Sequence, residues 1–171
     1  MAIILDDKVV AKVCSNLGSL GHSVVFTHGA FDMLHVGHIE FLRKSEAKGK
    51  FLIIGVDSDE RIYKYKSVTR PVIPARQRME MLSSLSFVDA VFELSGSNLD
   101  ADYYINLYEK IKPNVITVGP PFAFREYIPG YLEKLKDEKR LPRSTKFSVV
   151  KHKYSEVVST TAVIEKILQT S

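Results

Sequence analysis

At 171 residues, 45% hydrophobic and 26% charged, the chain is the size of one domain with its own core, which excludes disordered and fibrous classes. One cysteine, Cys14, excludes an internal disulfide and a cysteine metal cluster, and no apolar run approaches the roughly 20 residues of a membrane span. The net charge of +4 suits a small anionic partner, whereas scattered basic residues without interleaved aromatics argue against nucleic acid; acids in the first seven positions argue against a secretory leader, so a cytoplasmic location is expected.

Val9, Val10, Val13, Leu17 and Leu20 recur at helical spacing and Gly21 stops them, so residues 1–22 bring an N-terminal helix that packs on the domain. Residues 23–27 form a β-branched and aromatic strand, and 37–48 a helix with Ile39 and Leu42 inward. The apolar run 51–56 reads as a buried parallel strand. Pro74 opens a helix carrying Met79, Leu82 and Leu85, and a third strand follows at 88–92. Residues 102–112 form a helix that Pro113 ends, 115–118 a fourth strand, 127–139 a helix, 147–151 a fifth strand and 160–168 a closing helix. Cys14 has apolar neighbours and reads as a core residue. This alternation predicts an α/β fold: one Rossmann-like doubly wound domain over 1–171, with about five parallel strands and helices on both faces. Ligands of such sheets bind beyond the carboxyl ends of the strands, where the strand order reverses.

The segment Thr27-His28-Gly29-Ala30-Phe31-Asp32-Met33-Leu34-His35-Val36-Gly37-His38 leaves the first long strand and enters a helix. Gly29 and Gly37 bracket the turn and allow close approach of a ligand to backbone. A helix start offers unpaired N–H groups to phosphate, and His35 and His38 share a face of that start. A zinc site would need a third ligand, which no nearby motif supplies. Asp32 is read either as approaching a cation or as tying the turn.

With Gly-x-Phe-Asp before it, His-x-Gly-His resembles the signature of the cytidylyltransferase-like family of nucleotidyltransferases. Its two histidines hold the triphosphate and stabilise the transition state. Arg70-Pro71-Val72-Ile73-Pro74-Ala75-Arg76-Gln77-Arg78 and the later Phe87-Val88-Asp89 resemble most the adenylyltransferase domain of ADP-heptose synthases, and next the glycerol-3-phosphate cytidylyltransferases. Ser159-Thr160-Thr161 is similar to the family's terminal serine-threonine motif, which binds the β and γ phosphates; capping of the last helix would by itself explain one of these hydroxyls.

The resemblance implies that a nucleoside monophosphate passes from ATP or CTP to a small phosphorylated sugar or polyol, with release of pyrophosphate and no covalent intermediate. It assigns catalysis to His35, His38, Lys44 and Arg78, and nucleotide binding to Gly29, Ala30, Phe31, Asp32, Gly37, Lys66, Arg70, Gly119, Ser159, Thr160 and Thr161. Lys64 is a further candidate phosphate contact, and Lys44 could instead pair with Glu40. Mg²⁺ would be bound through the nucleotide phosphates, with no protein metal ligand. A homodimer is common in the family. Ser86 and Tyr154 stand where cytidylyltransferases of the glycerol-3-phosphate type carry arginine, which favours ATP over CTP. Gly119-Pro120-Pro121-Phe122 replaces a loop that carries an acid in relatives, so a catalytically impaired nucleotide-binding protein is the alternative from another class.

Overall fold

In a computed structural model, residues 1–66, 69–96, 100–120, 124, 126–154 and 159–169 are described. The elements in chain order are β1 (Ile3–Leu5), α1 (Asp7–Ser19), β2 (Val24–Gly29), α2 (Val36–Glu46), β3 (Phe51–Asp57), α3 (Asp59–Tyr65), α4 (Ala75–Ser83), β4 (Ala90–Leu94), α5 (Ala101–Ile111), β5 (Val115–Val118), α6 (Ile128–Asp137), β6 (Lys146–Val149) and α7 (Thr160–Gln169). The strands form one sheet in the order β1-β4-β3-β2-β5-β6, and every pairing is parallel.

The alternation fixes this architecture, because parallel neighbours need a crossover and each crossover helix must bury its apolar stripe on the sheet. One face collects Val10 and Cys14 of α1, Tyr104, Ile105, Tyr108 and Ile111 of α5, and Leu132 and Leu135 of α6, all against Phe26, Ile53, Phe92 and Ile116. The other collects Phe41 and Leu42 of α2 and Met79 and Leu82 of α4 against Val25, Leu52, Ile54 and Val91. Burial pushes the Cys14 thiol up to about 11, as befits a core residue. Caps set the helix starts: Asp6 accepts from the Lys8 amide, Ser58 from the Arg61 amide and Asp100 from the Tyr103 amide.

Among the described residues six strands stand where about five were expected. The addition, β1, is three residues long and pairs with β4 at the sheet edge, leaving Ile3 65% and Ile4 47% exposed. Too short to show alternation, and with much of its apolar surface in solvent, it carries no readable period. Helix α3 was also unread, because its seven residues span under two turns and carry one buried apolar side chain, Ile62.

After β2 the chain builds β3 and β4 on one side, then crosses to place β5 on the other. The switch point therefore lies between the carboxyl ends of β2 and β5, which pair from Val25↔Val115 to Thr27↔Thr117.

Candidate active site

At the switch point β2 ends at Gly29 and the chain turns toward α2. Phe31 and Met33 take positive φ, 48° and 51°. Such a backbone costs a non-glycine residue on the order of 1–3 kcal/mol and persists only where the surroundings impose it. Asp32, between them, is 1% exposed and supplies that constraint. Its Oδ2 accepts from Arg70 Nε at 2.8 Å, and its carboxylate also accepts from the Val72 and Ile73 amides at 3.0 Å each. Its backbone carbonyl accepts from Thr160 Oγ1 at 2.7 Å. One residue thus ties together the three segments singled out in the sequence. Burial opposes ionisation of Asp32, but the two amides and the Arg70 guanidinium outweigh it and hold the carboxyl below the usual carboxylate range.

His35 caps α2, its Nδ1 accepting from the Gly37 amide at 3.1 Å. A neutral ring that accepts at Nδ1 carries its proton on Nε2, so that edge is a donor. The rings of His35 and His38 stack with centroids 3.9 Å apart, and Phe31 meets His38 edge-on at 5.5 Å. Burial, helped by the neighbouring His35 and His152, drives His38 down to about 3, and burial and His152 also lower His35. Nδ1 of His38 is buried without a hydrogen-bond partner. Two neutral imidazoles at a helix start give a site that accepts anionic oxygens by hydrogen bonding and gains proton affinity once the anion arrives.

Lys66 follows α3 as its C-cap, exposed to solvent; desolvation and the adjacent Arg70 lower its pKa while Asp32 opposes them. Gly119 follows β5 directly across the switch point from Gly29; Pro121 and Phe122 of its loop lie outside the described residues. Ser159 caps α7 by accepting from the Ala162 amide at 3.1 Å, and Thr161 is exposed beside it. Lys64 is exposed on α3.

Three of the expected site residues are engaged within the fold. Arg78 is fully buried and donates to the carbonyls of Ile73, Ala30 and Asp57 and to Oδ1 of Asp59. Its fork is committed to bracing the turn after β2 against the segment before α4, and no face of it reaches the cleft. Thr160 is turned inward to Asp32, which leaves Ser159 and Thr161 on the outside. Lys44, in the last turn of α2, donates to the Lys151 carbonyl at 3.0 Å. Both carboxylate oxygens of Asp32 accept hydrogen bonds that tie the turn.

Two features were missed. His152, just beyond β6, stands beside Gly37, and Glu40 of α2 lies 3.8 Å from its Nδ1. A histidine at the carboxyl end of a parallel strand was the available signal. On the α5 side, Asp57 accepts from Arg61 Nε at 3.1 Å and from Tyr65 at 2.9 Å, and Arg61 donates to Tyr104 at 3.3 Å. The spacing Asp57, Arg61, Tyr65 is that of one helical face, but the helix itself went unread.

A turn between a central parallel strand and a helix, with two imidazoles at the switch point of a doubly wound sheet, is an arrangement of the nucleotidyltransferase type. The cytidylyltransferase-like family model matches residues 26–166, and the chain belongs to this family. It is 34% identical over 159 residues to the bifunctional protein HldE of Helicobacter pylori strain J99, covering 93% of this chain and 30% of that protein. It is also 34% identical over 128 residues to the bifunctional protein HldE of Geobacter sulfurreducens, covering 72% of this chain and 25% of the relative. The chain thus spans less than a third of these curated relatives. In fold it is similar to a lipopolysaccharide core biosynthesis protein from Thermoplasma volcanium, with TM-score 0.61, 22% identity and coverage of 77% of this chain and 99% of that one. It is similar also to a pantoate-beta-alanine ligase from Francisella tularensis, with TM-score 0.55, 18% identity and coverage of 99% and 78%. No helix among the described residues is long and apolar enough to cross a membrane.

Proposed function

We propose that this chain transfers AMP from ATP to the phosphate of a small phosphorylated sugar or polyol. An acceptor phosphate oxygen attacks the α-phosphorus in line, the bond from that phosphorus to the bridging oxygen breaks, and pyrophosphate leaves with the bond electrons. The observation that carries this reading is the His35–His38 pair, stacked at the start of α2 with His35 held in the tautomer that donates from Nε2. Nothing in the chemistry requires a nucleophilic side chain; the protein positions two anions and offsets charge that builds on the phosphate oxygens. His35 and His38 take the α- and β-phosphate oxygens. Lys66 and the α7 start, through Ser159 and Thr161, take the departing pyrophosphate. Arg70 contributes by holding Asp32 and with it the turn.

Among the described residues no group of three or more His, Cys, Asp or Glu is arranged to hold a metal ion, and Asp32 is committed to Arg70 and two amides. Mg²⁺, which the family resemblance implies, would be carried in on the nucleotide phosphates. The reaction draws on the nucleoside triphosphates of the cytoplasm.

The preference for ATP rests on Ser86 and Tyr154 and on the resemblance to ADP-heptose synthases. Transfer of CMP is the second reading, favoured by the match to the cytidylyltransferase-like model. The test is pyrophosphate release from ATP and from CTP, each with a panel of sugar and polyol phosphates. Turnover with ATP and a sugar phosphate supports the main reading; turnover with CTP alone selects the second. Nucleotide binding without turnover overturns both and leaves a nucleotide-binding protein.

A further inference from the structure

The start of α2 carries a third imidazole that the histidine motif does not include. A Cβ placed on Gly37 would stand 2.9 Å from Cε1 of His35 and 3.1 Å from Cε1 of His152, so two rings from distant parts of the chain close on one point of the helix start. Behind His152, its Nδ1 lies 3.8 Å from Oε2 of Glu40, and the two side chains are 11% and 25% exposed. Lys44 anchors the same segment, donating to the carbonyl of Lys151 at 3.0 Å. The arrangement is a carboxylate behind an imidazole, with the imidazole beside the proposed phosphate site.

We propose that His152 is a further nucleotide-binding residue, a third imidazole for the triphosphate, and that Glu40 is the positioning residue that orients it. This rests on the phosphate-site reading above. A carboxylate behind a ring fixes its orientation and favours its protonated form, and an anion in front does the same. His35 and His38 at the helix start and Lys44 on α2 oppose a positive charge on His152, Glu40 favours it, and Lys153 is exposed on the ring's own segment. In the free protein burial, opposed by Glu40 and aided by Lys44, keeps the ring below the usual imidazole range. A bound triphosphate reverses that balance, and His152 gains a proton as the nucleotide binds. A ring whose proton affinity rises on binding gives its full contribution to affinity at low pH, and loses it as pH rises through the bound-state value.

The test is titration calorimetry of the full chain with Mg-ATP and Mg-CTP across pH 5.5 to 8, in buffers of different ionisation enthalpy, to count protons taken up. The nucleotide's own phosphate titration is common to every variant and cancels in the comparison. His152→Gln is expected to weaken binding about tenfold at pH 6, the scale of one lost charge-assisted hydrogen bond, to reduce proton uptake, and to raise KM for nucleotide more than it lowers kcat. Glu40→Gln is expected to move the falling limb of the affinity profile to lower pH, and Glu40→Asp to restore part of the shift. Unchanged affinity and proton uptake in His152→Gln would overturn the inference, as would a lowered unfolding midpoint with unchanged affinity, which marks packing alone. If the parent protein binds neither nucleotide, the phosphate-site reading itself fails and takes this inference with it.

Discussion

His28 and His38 stand on opposite sides of one turn, and burial keeps both rings neutral, at about 4 and about 3. Their surroundings nevertheless differ. His28 Nε2 is 2.8 Å from the Tyr108 hydroxyl, and its ring stacks on Tyr104 at 4.6 Å, so its polar edge and its face are both met within the α5 side of the core. His38 stacks on another imidazole and keeps a buried nitrogen without a partner. Burial alone does not mark a functional histidine. What marks it is a polar atom that the fold has withdrawn from water and left unmatched, because such a group costs stability unless a ligand completes it.

The contrast can be tested by breaking each side in turn. The largest effect belongs to the support of the His38 side. Asp32→Ala leaves the buried Arg70 guanidinium and two amides without their acceptor, and urea unfolding should show a loss of about 3–5 kcal/mol. Next comes His38→Ala, which should lower pyrophosphate release by about 10²- to 10³-fold under saturating substrates, the size of one lost oxyanion donor. It gives up no hydrogen bond at Nδ1, so its effect on the unfolding midpoint should be small. Tyr108→Phe reverses the pattern: it removes the hydroxyl partner of His28 and should cost about 1–3 kcal/mol of stability, read by chemical denaturation, with turnover close to that of the parent.

The smallest effect concerns pH. Both rings have folded-state pKa values below the ordinary 6.5, so the unfolded chain binds more protons. Stability should be insensitive to these rings above pH 6.5 and should fall as pH drops from there toward 4, by up to about 1.4 kcal/mol per unit for each ring. Denaturation midpoints measured from pH 7.5 to 4.5 check the sign; a midpoint that rises on acidification would break the account of both histidines.

Much of this was legible in the sequence because the signals were local. The apolar run 51–56, the stop at Pro113 and the alternation of periods set the parallel sheet, and the spacing of His35 and His38 after a strand placed the two rings together at the start of α2. What escaped depends on contacts far apart in the chain. Arg78 looked like a phosphate fork, but its acceptors are carbonyls at Ala30 and Asp57 and the carboxylate of Asp59, which only the folded crossing of β2, β3 and α4 brings together. Thr160 belonged to a hydroxyl run, yet its partner lies at Asp32. His152 carried no motif, and its place beside Gly37 follows from β6 joining the sheet next to β5. Sequence spacing finds groups that share a helix face; it does not say which of them the tertiary structure has already satisfied.

The most direct test of the proposed phosphate site is a titration of the histidine ring resonances, recorded as carbon–proton correlations, with Mg-ATP. There are five histidines. The account predicts that the signals of His35 and His38 move with saturating, stoichiometric binding while those of His22 and His28 stay in place. Movement of His28 with His35 and His38 unchanged would contradict it.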